Sequence, residues 1–224
     1  MRVAVVSPYS RKRIEKALKA CGFVVSSGPE IVFTYGGDGT ILEAEHRFPG
    51  VPMVPVQRSR ICSNCSVYSL FDLKQVIKAI GKGRYSVAEE QKVEAVFNGR
   101  KVSALNEIQL HVKDPRRALR FSLRAPRMKY REIISDGLVA ATPYGSTAYY
   151  RSIGYAPFKS GIRIGFNNAW PRLPAMEVKK KAVVKLLRES AWLAADNFFK
   201  AEMKKSDKIT IKPSKKKARF VVMD

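Results

Sequence analysis

The hydrophobic positions in the first part of the chain alternate between short apolar runs and helical spacing. The run at residues 2–6 predicts a strand, and the apolar positions of residues 11–21 recur with the period of a helix. The same patterns predict strands at residues 23–26, 31–34 and 51–56, a helix at 41–47 capped by Thr40, and a helix at 73–80 capped by Asp72. Strands that alternate with helices predict a mainly parallel sheet, with ligands at the carboxyl ends of its strands.

Beyond Gly83 the pattern changes to the two-residue period of strands. Apolar runs at 93–97 and 101–105 flank Asn98-Gly99, a dipeptide typical of a tight hairpin. Further strands are predicted at residues 107–112, 119–124, 128–134 and 138–141. We therefore expect an N-terminal α/β domain over residues 1–82 and a C-terminal β-rich domain over residues 83–224.

Residues 177–204 fit two patterns. The apolar positions that would line one face of a helix are Val178, Ala182, Val183, Leu186 and Leu187. The same segment can instead form strands at 182–187 and 191–195. Local spacing alone favours the helix.

The composition indicates a folded protein, because hydrophobic residues make up 46% of the chain. The first residues fit a strand and no long apolar run follows, so we expect a cytoplasmic protein without a membrane anchor. Cys62 and Cys65 form a Cys-x-x-Cys pair, but His46 and His111 stand at no zinc-finger spacing from it. We expect these cysteines to be reduced and free of metal.

The net charge is +23, with 42 Lys and Arg against 19 Asp and Glu, which points to an anionic partner. Nucleic acid is the default partner of so basic a chain. However, the charge is spread along the chain apart from the lysine runs at 179–181 and 215–217, and no nucleic-acid-binding motif accompanies it. A solvated basic surface and a polyanionic nucleotide ligand explain the charge equally well.

The glycine-rich motif Gly36-Gly37-Asp38-Gly39-Thr40 follows a predicted strand. Three glycines let the backbone approach a ligand closely, and the N–H groups of Gly39 and Thr40 at a helix start can hold phosphate. The carboxylate of Asp38 repels phosphate, so it is better suited to accept a proton from an alcohol or to hold a metal ion. The motif predicts phosphoryl transfer to a hydroxyl, and a simple tight turn is the alternative.

Two further motifs carry polar groups in apolar surroundings. Asp136-Gly137 leads into the strand before residues 142–149, where four hydroxyl side chains surround a proline and a glycine, as suits a nucleotide pocket. Asn106-Glu107 lies between apolar residues, so we expect at least one of the two side chains to point into a polar pocket.

Taken together and in this order, these motifs resemble the NAD kinase family, within the wider group that includes diacylglycerol and sphingosine kinases. The residues that carry the resemblance are Gly36 to Thr40, Asn106-Glu107, Asp136-Gly137, residues 142–149 and Ser152. The resemblance implies a Rossmann-like N-terminal α/β domain and a C-terminal β-rich, sandwich-like domain, with the substrate in the cleft between them. It also favours strands over a helix for residues 182–211, and we adopt that prediction.

The resemblance further implies a role for each site residue. Asp38 would be the general base at the adenosine ribose 2′-hydroxyl of NAD. The NAD-binding residues would be Gly39, Asn106, Glu107, Asp136, Thr147, Ala148, Tyr149 and Ser152. The residues at the ATP phosphates would be Gly36, Gly37, Gly39 and Thr40. The donor would be ATP or polyphosphate with a divalent metal ion, Mg, for which no protein side chain is assigned, and the protein would be a homodimer or homotetramer.

The sequence departs from the family pattern at residues 55–62, where members usually carry Gly-x-Asn and Gly-x-Leu-Gly-Phe. Arg58 and Arg60 in this loop offer charge that suits phosphate. Two alternatives therefore stay open. One is a related kinase with a sugar, nucleoside or lipid acceptor, and the other is a non-catalytic nucleotide- or nucleic-acid-binding protein of the same fold. The intact Asp38 argues against the second.

Overall fold

The computed structural model describes residues 1–57, 68–70, 72–126 and 128–223. The chain forms two compact units, one made of residues 1–90 with the C-terminal residues from Lys217 on, and the other of residues 91–216. We call them unit 1 and unit 2. The functional domain boundary expected between residues 82 and 83 stays a prediction.

Unit 1 is an α/β unit, as its alternating pattern predicts. Its elements are β1 (Arg2–Val6), α1 (Lys12–Ala20), β2 (Val24–Val25), β3 (Ile31–Gly36), α2 (Asp38–Arg47), β4 (Met53–Gln57), β5 (Tyr68–Ser69) and α3 (Leu73–Gly81). The strands are parallel in the order β2-β1-β3-β4, with β5 also beside β4. Near the C-terminus, Phe220 pairs in parallel with Met53 of β4. Almost all of β3 is buried, as expected of a parallel strand covered on both faces.

The helix after β3 begins earlier than the sequence predicts. Helix α2 starts at Asp38 rather than Ile41, because Gly37 is extended and the Thr40 N–H already donates to the Gly37 carbonyl at 2.9 Å. Thr40 is therefore buried in the first turn and does not cap it. Asp72 precedes α3 as expected, but its carboxylate accepts hydrogen bonds from Ser69 instead of capping the helix.

Unit 2 is a β-sandwich. Its strands begin with β6 (Ser86–Phe97), which enters from unit 1, and continue with β7 (Arg100–Ala104), β8 (Glu107–Val112), β9 (Leu119–Ala125), β10 (Met128–Ser135), β11 (Gly137–Ala141), β12 (Arg163–Asn167), β13 (Met176–Glu177), β14 (Ala182–Arg188), β15 (Ala191–Ala195), β16 (Phe199–Met203) and β17 (Lys208–Val222). A 3-10 turn (Tyr144–Thr147) and the short helix α4 (Tyr149–Ser152) follow β11.

Two antiparallel sheets enclose the core of unit 2. One has the order β13-β12-β11-β8-β15-β16, and the other contains β10-β9-β14-β17 with β6 and β7 beyond β17. Leu110 and Leu193 from the first sheet pack in one buried cluster with Phe121, Val184 and Ile211 from the second. Side chains of two sheets that interdigitate in this way define a sandwich core. The predicted fold class, α/β followed by a β-rich part, is confirmed.

The hairpin at Asn98-Gly99 is confirmed, with positive φ angles of 49° and 75° at its two central residues. The ambiguous segment forms β14 and β15, so the helix that local spacing favours is wrong and the strands implied by the resemblance are right. Its apolar positions alternate: Ala182, Val184 and Leu186 are fully buried, while the residues between them are only half-buried.

None of the described helices has the length and apolar composition needed to cross a membrane. Cys21 is exposed and carries a free thiol. The Cys62-Cys65 pair and the arginines of the altered loop, Arg58 and Arg60, lie outside the described residues.

Candidate functional site

The glycine-rich motif forms the turn between β3 and α2 in unit 1. A Cβ on Gly36 would meet the side chain of Thr40, so the tight turn requires glycine at this position. The hydroxyl of Ser7 donates to the carbonyl of Tyr35 at 2.7 Å, which ties the chain after β1 to the end of β3. Asp38 is the first residue of α2, and the N–H of Thr40, which was expected to hold phosphate, instead donates to the carbonyl of Gly37. The start of α2 therefore presents both a carboxylate and the helix end that favours anions.

The second motif is a sharp turn between β7 and β8, which we call the Asn-Glu turn (Leu105–Glu107). Its three consecutive N–H groups all donate to the carboxylate of Asp196. The distances are 2.8 Å from Leu105, 2.8 Å from Asn106 and 3.2 Å from Glu107. In return, the N–H of Asp196 donates to the carbonyl of Glu107 at 3.1 Å. One carboxylate thus accepts every backbone donor of the turn.

Thr142 holds the same turn from its carbonyl side. Its hydroxyl donates to the carbonyl of Leu105 at 2.6 Å, and its N–H donates to the carbonyl of Asn106 at 2.9 Å. The hydroxyl also accepts the N–H of Gly145 at 3.0 Å. A Cβ on Gly145 would collide with the Asn106 carbonyl and lie 2.5 Å from its Cα. The backbone of the Asn-Glu turn is therefore fixed from two directions.

The side chains of the turn are buried but not satisfied. Asn106 and Glu107 are each 7% exposed, and Asn106 Oδ1 and Glu107 Oε2 make no hydrogen bond within the part of the chain that the structure describes. Burial, and secondarily the negative charge of Asp196, raise the pKa of Glu107 to about 8. A buried polar group without a partner costs about 1–3 kcal/mol, so two adjacent ones in a fixed turn indicate a ligand-binding position.

Tyr149, at the start of α4, links the Asn-Glu turn to the second aspartate motif. Its hydroxyl accepts a hydrogen bond from Asn167 Nδ2 at 3.1 Å. Burial first, and then the negative charges of Glu107 and Asp136, raise the pKa of Tyr149. Asp136 in turn accepts a hydrogen bond from Asn168 Nδ2 at 3.0 Å. The phenol therefore lies within electrostatic reach of both carboxylates.

The two carboxylates stand at opposite ends of one pair of strands. Glu107 of β8 pairs with Ala141 of β11, and four residues along, His111 pairs with Gly137, which directly follows Asp136. Four residues of a strand span roughly 13 Å. Gly137 has φ 156°, and a Cβ there would collide with the Leu110 carbonyl, so only glycine lets β11 start against β8.

A cavity of about 510 Å³ opens beside Asp136. The polar residues that line it are Asp136, Ser152, Asn167, Asn168 and Arg172. Arg172 also donates to the carbonyl of Gly154 at 2.8 Å, which fixes its guanidinium at the rim. This cavity extends the site in unit 2 beyond Tyr149 and accommodates a sizeable polar group.

Similarity to known proteins assigns the chain to a family. No model of a known protein family matches the chain. The chain is 30% identical over 214 residues to the NAD kinase of Methanosarcina mazei, an alignment that covers 87% of this chain and 70% of that protein. The chain belongs to the NAD kinase family.

Other members of the family support the same assignment. The NAD kinase of Methanothermobacter thermautotrophicus is 26% identical, with 86% of this chain and 71% of that protein aligned. The crystal structure of an NAD kinase from Archaeoglobus fulgidus, in complex with ATP, superimposes with a TM-score of 0.83 at 25% identity. That superposition covers 98% of this chain and 93% of the other.

The structure places the expected family residues in two groups. Gly36 to Thr40 lie in unit 1, at the start of α2. The remaining NAD-binding candidates lie in unit 2, where Glu107, Asp136 and Tyr149 are electrostatically coupled and Ser152 lines the cavity with Asp136. Thr147 and Ala148 form the junction between the 3-10 turn and α4. The assignment of all these residues to NAD or to the ATP phosphates stays a prediction.

Sequence reasoning did not assign Asn167 or Asp196 a role in the site. Thr142 was expected as one of the hydroxyls of a nucleotide pocket, not as a residue that shapes the Asn-Glu turn. The structure shows that Thr142 and Asp196 shape the Asn-Glu turn. The signal that could have revealed Asp196 is Asp196-Asn197 directly after a predicted strand, a pair typical of a turn; Asp196 indeed has φ 46°.

Proposed function

We propose that the protein is an NAD kinase, which transfers the γ-phosphoryl group of ATP to the adenosine ribose 2′-hydroxyl of NAD and so forms NADP. The observation that carries this proposal is the Asn-Glu turn. In a member of the NAD kinase family, a rigid turn presents two buried oxygens, Asn106 Oδ1 and Glu107 Oε2, that lack a donor among the described residues. Ribose hydroxyls and the adenine amino group are donors of the required kind.

NAD binding uses unit 2 in this proposal. Asn106 and Glu107 accept hydrogen bonds from one nucleoside, and Asp136 faces the nicotinamide half, with the phenol of Tyr149 between these positions. The positions of Glu107 and Asp136 at opposite ends of the paired strands β8 and β11 support an extended dinucleotide rather than a mononucleotide. The main chain of Thr147 and Ala148, with the hydroxyl of Ser152, contributes further contacts.

The chemistry is a single displacement at the γ-phosphorus. The 2′-oxygen forms the new P–O bond while the bond between the γ-phosphorus and the bridging oxygen breaks, and ADP leaves with the electron pair. Asp38 accepts the proton of the 2′-hydroxyl, and the N–H groups at the start of α2, flanked by Gly36 and Gly37, hold phosphate oxygens. Positioning and charge neutralisation supply most of the rate in such transfers.

The divalent metal belongs to the donor in this proposal. The described residues contain no group of three or more His, Cys, Asp or Glu side chains that could hold a metal ion. In this proposal ATP would enter as its Mg complex, in which the metal would neutralise charge on the phosphates. Polyphosphate is the alternative donor. The homodimeric or homotetrameric assembly and the cytoplasmic location rest on the family resemblance and the sequence alone.

The test is NADP formation from NAD with MgATP, measured with an NADP-specific dehydrogenase. Asp38→Asn keeps the shape of the side chain but removes the base, so we expect turnover to fall by about 10²–10⁴ while NAD still binds. The matched control is Asp72→Asn, a second aspartate at the start of a helix in unit 1. Near-normal turnover by Asp38→Asn would refute the role of Asp38. NADP from polyphosphate but not ATP would reassign the donor.

A further inference from the structure

We propose that Asp196 is a positioning residue for the acceptor: by binding all three N–H groups of the Asn-Glu turn, it directs Asn106 and Glu107 toward NAD. This inference rests on the proposed function and adds a residue from a different strand to its binding site. Asp196 itself contributes through the turn and needs no contact with the substrate.

The geometry of its hydrogen bonds supports a specific role for Asp196 in holding the Asn-Glu turn. Asp196 directly follows β15, whereas the turn lies between β7 and β8, so the contact joins segments about 90 residues apart. Oδ1 accepts from both Asn106 and Glu107, and Oδ2 accepts from Leu105. A carboxylate is the one side chain of this size with acceptors only, so it alone satisfies three converging donors.

The burial of this carboxylate is compensated within unit 2. Burial raises the pKa of Asp196, whereas the three backbone hydrogen bonds and the positive charge of Lys92 act in the opposite direction. Lys92 is itself 5% exposed and lies on β6. A buried charge is costly to maintain unless it is paired and hydrogen-bonded. The fold thus supplies both a buried cation and three N–H donors to keep Asp196 beneath the Asn-Glu turn.

Asp196 also sets the electrostatic state of the binding group. Its charge adds to burial in raising the pKa of Glu107 to about 8. Among the described residues, the other titratable groups that interact with Glu107 or Asp196 are Tyr149 on α4 and Lys92 on β6. Removal of the charge of Asp196 therefore lowers the pKa of Glu107 even where the side chain stays buried.

The experiment compares Asp196→Asn with wild type over a range of pH. Asparagine has the same shape but no negative charge. Its Nδ2 is a donor, so it cannot accept a hydrogen bond from at least one N–H of the turn. We expect the KM for NAD to rise at least tenfold and the KM for ATP to stay within twofold. In the wild type, kcat/KM for NAD should change near pH 8 as Glu107 titrates. In Asp196→Asn that change should move to lower pH, and in Glu107→Gln it should disappear.

Two further variants separate positioning from charge. Thr142→Val removes the hydroxyl that holds the turn from its other side but leaves the charge of Asp196 in place, so we expect a higher KM for NAD with a smaller shift of the pH profile than in Asp196→Asn. This variant also tests positioning if Asp196→Asn fails to fold. Asp207→Asn is the matched control, because Asp207 likewise accepts a backbone N–H, from Lys204 at 2.8 Å, but in the turn before β17. It should behave as wild type.

The outcomes are distinct. A KM for NAD within twofold of wild type in Asp196→Asn overturns the positioning role, an unshifted pH profile overturns the electrostatic effect on Glu107, and both leave the NAD kinase assignment intact. No NADP from the wild type overturns the proposed function instead. In that case amide hydrogen exchange still tests whether Asp196 holds the turn. If the exchange rates at residues 105–107 are the same in Asp196→Asn and in the wild type, Asp196 does not hold it.

Discussion

The contact between Gly145 and the Asn-Glu turn gives the sharpest test of how the site is built. Gly145 has no positive φ, so alanine there is acceptable for the backbone and the effect of the substitution comes from space alone. The added Cβ would collide with the carbonyl oxygen of Asn106 and lie 2.5 Å from its Cα. Non-bonded carbon atoms rest about 3.5–4.0 Å apart, so the two segments must separate by roughly 1 Å or more.

That separation has two measurable consequences. Overpacking of this kind costs about 1–3 kcal/mol, and we expect Gly145→Ala to lower the free energy of unfolding in urea by that amount. The movement also displaces Asn106, whose carbonyl accepts the N–H of Thr142 at 2.9 Å. The KM for NAD should therefore rise about tenfold, which corresponds to about 1.4 kcal/mol of lost binding, while the KM for ATP changes little.

The control is Gly28→Ala. Gly28 also lacks a positive φ, and a Cβ added there would lie 4.0 Å from the nearest atom, a side-chain nitrogen of Arg2. Open surface substitutions usually change stability by less than about 0.5 kcal/mol. If Gly145→Ala matches Gly28→Ala in both unfolding free energy and KM for NAD, the close packing against Asn106 is not what shapes the site.

Two more predictions concern Glu107 and Tyr149, the side chains that we propose to face NAD. The pKa of Glu107 is raised to about 8, so the folded state holds its proton where the unfolded chain has lost it, and stability falls as pH rises from about 4.5 to 8. We therefore expect Glu107→Gln to gain stability relative to the wild type as the pH rises, by a few kcal/mol across this range, as measured by urea unfolding. A difference in unfolding free energy that does not change with pH would contradict the raised pKa. Tyr149→Phe removes the hydroxyl that accepts from Asn167, so the KM for NAD should rise about three- to tenfold with turnover nearly unchanged; an unaltered KM would place Tyr149 outside the binding site.

Much of the fold follows from local patterns in the sequence. Alternation of apolar runs with helical spacing predicted the α/β character of unit 1, and Asn98-Gly99 predicted its hairpin in unit 2, because both signals act over a few residues. The strands β14 and β15 show where local patterns fail to predict the structure. Leu186 and Leu187 are both apolar, although only Leu186 is fully buried, so the alternation of the strand is hidden and the spacing imitates a helix.

The candidate site was likewise predictable only where the signal is local in the sequence. The apolar neighbours of Asn106 and Glu107 indicated that polar groups were being buried, and the structure shows both side chains at the edge of the core. The partners of that turn could not be read from the sequence, because Thr142 and Asp196 reach it from distant strands. The need for glycine at position 145 arises only from the approach of the Asn106 backbone, a tertiary contact without a local signal.

The central claim is that this chain converts NAD to NADP. The measurement that tests it most directly is NADP formation by the purified protein from NAD and MgATP, with Asp38→Asn assayed in parallel. The account predicts NADP from the wild type and a loss of about 10²–10⁴ in turnover in the variant. Absence of NADP from the wild type with both ATP and polyphosphate would contradict it and would direct the search to another hydroxyl acceptor.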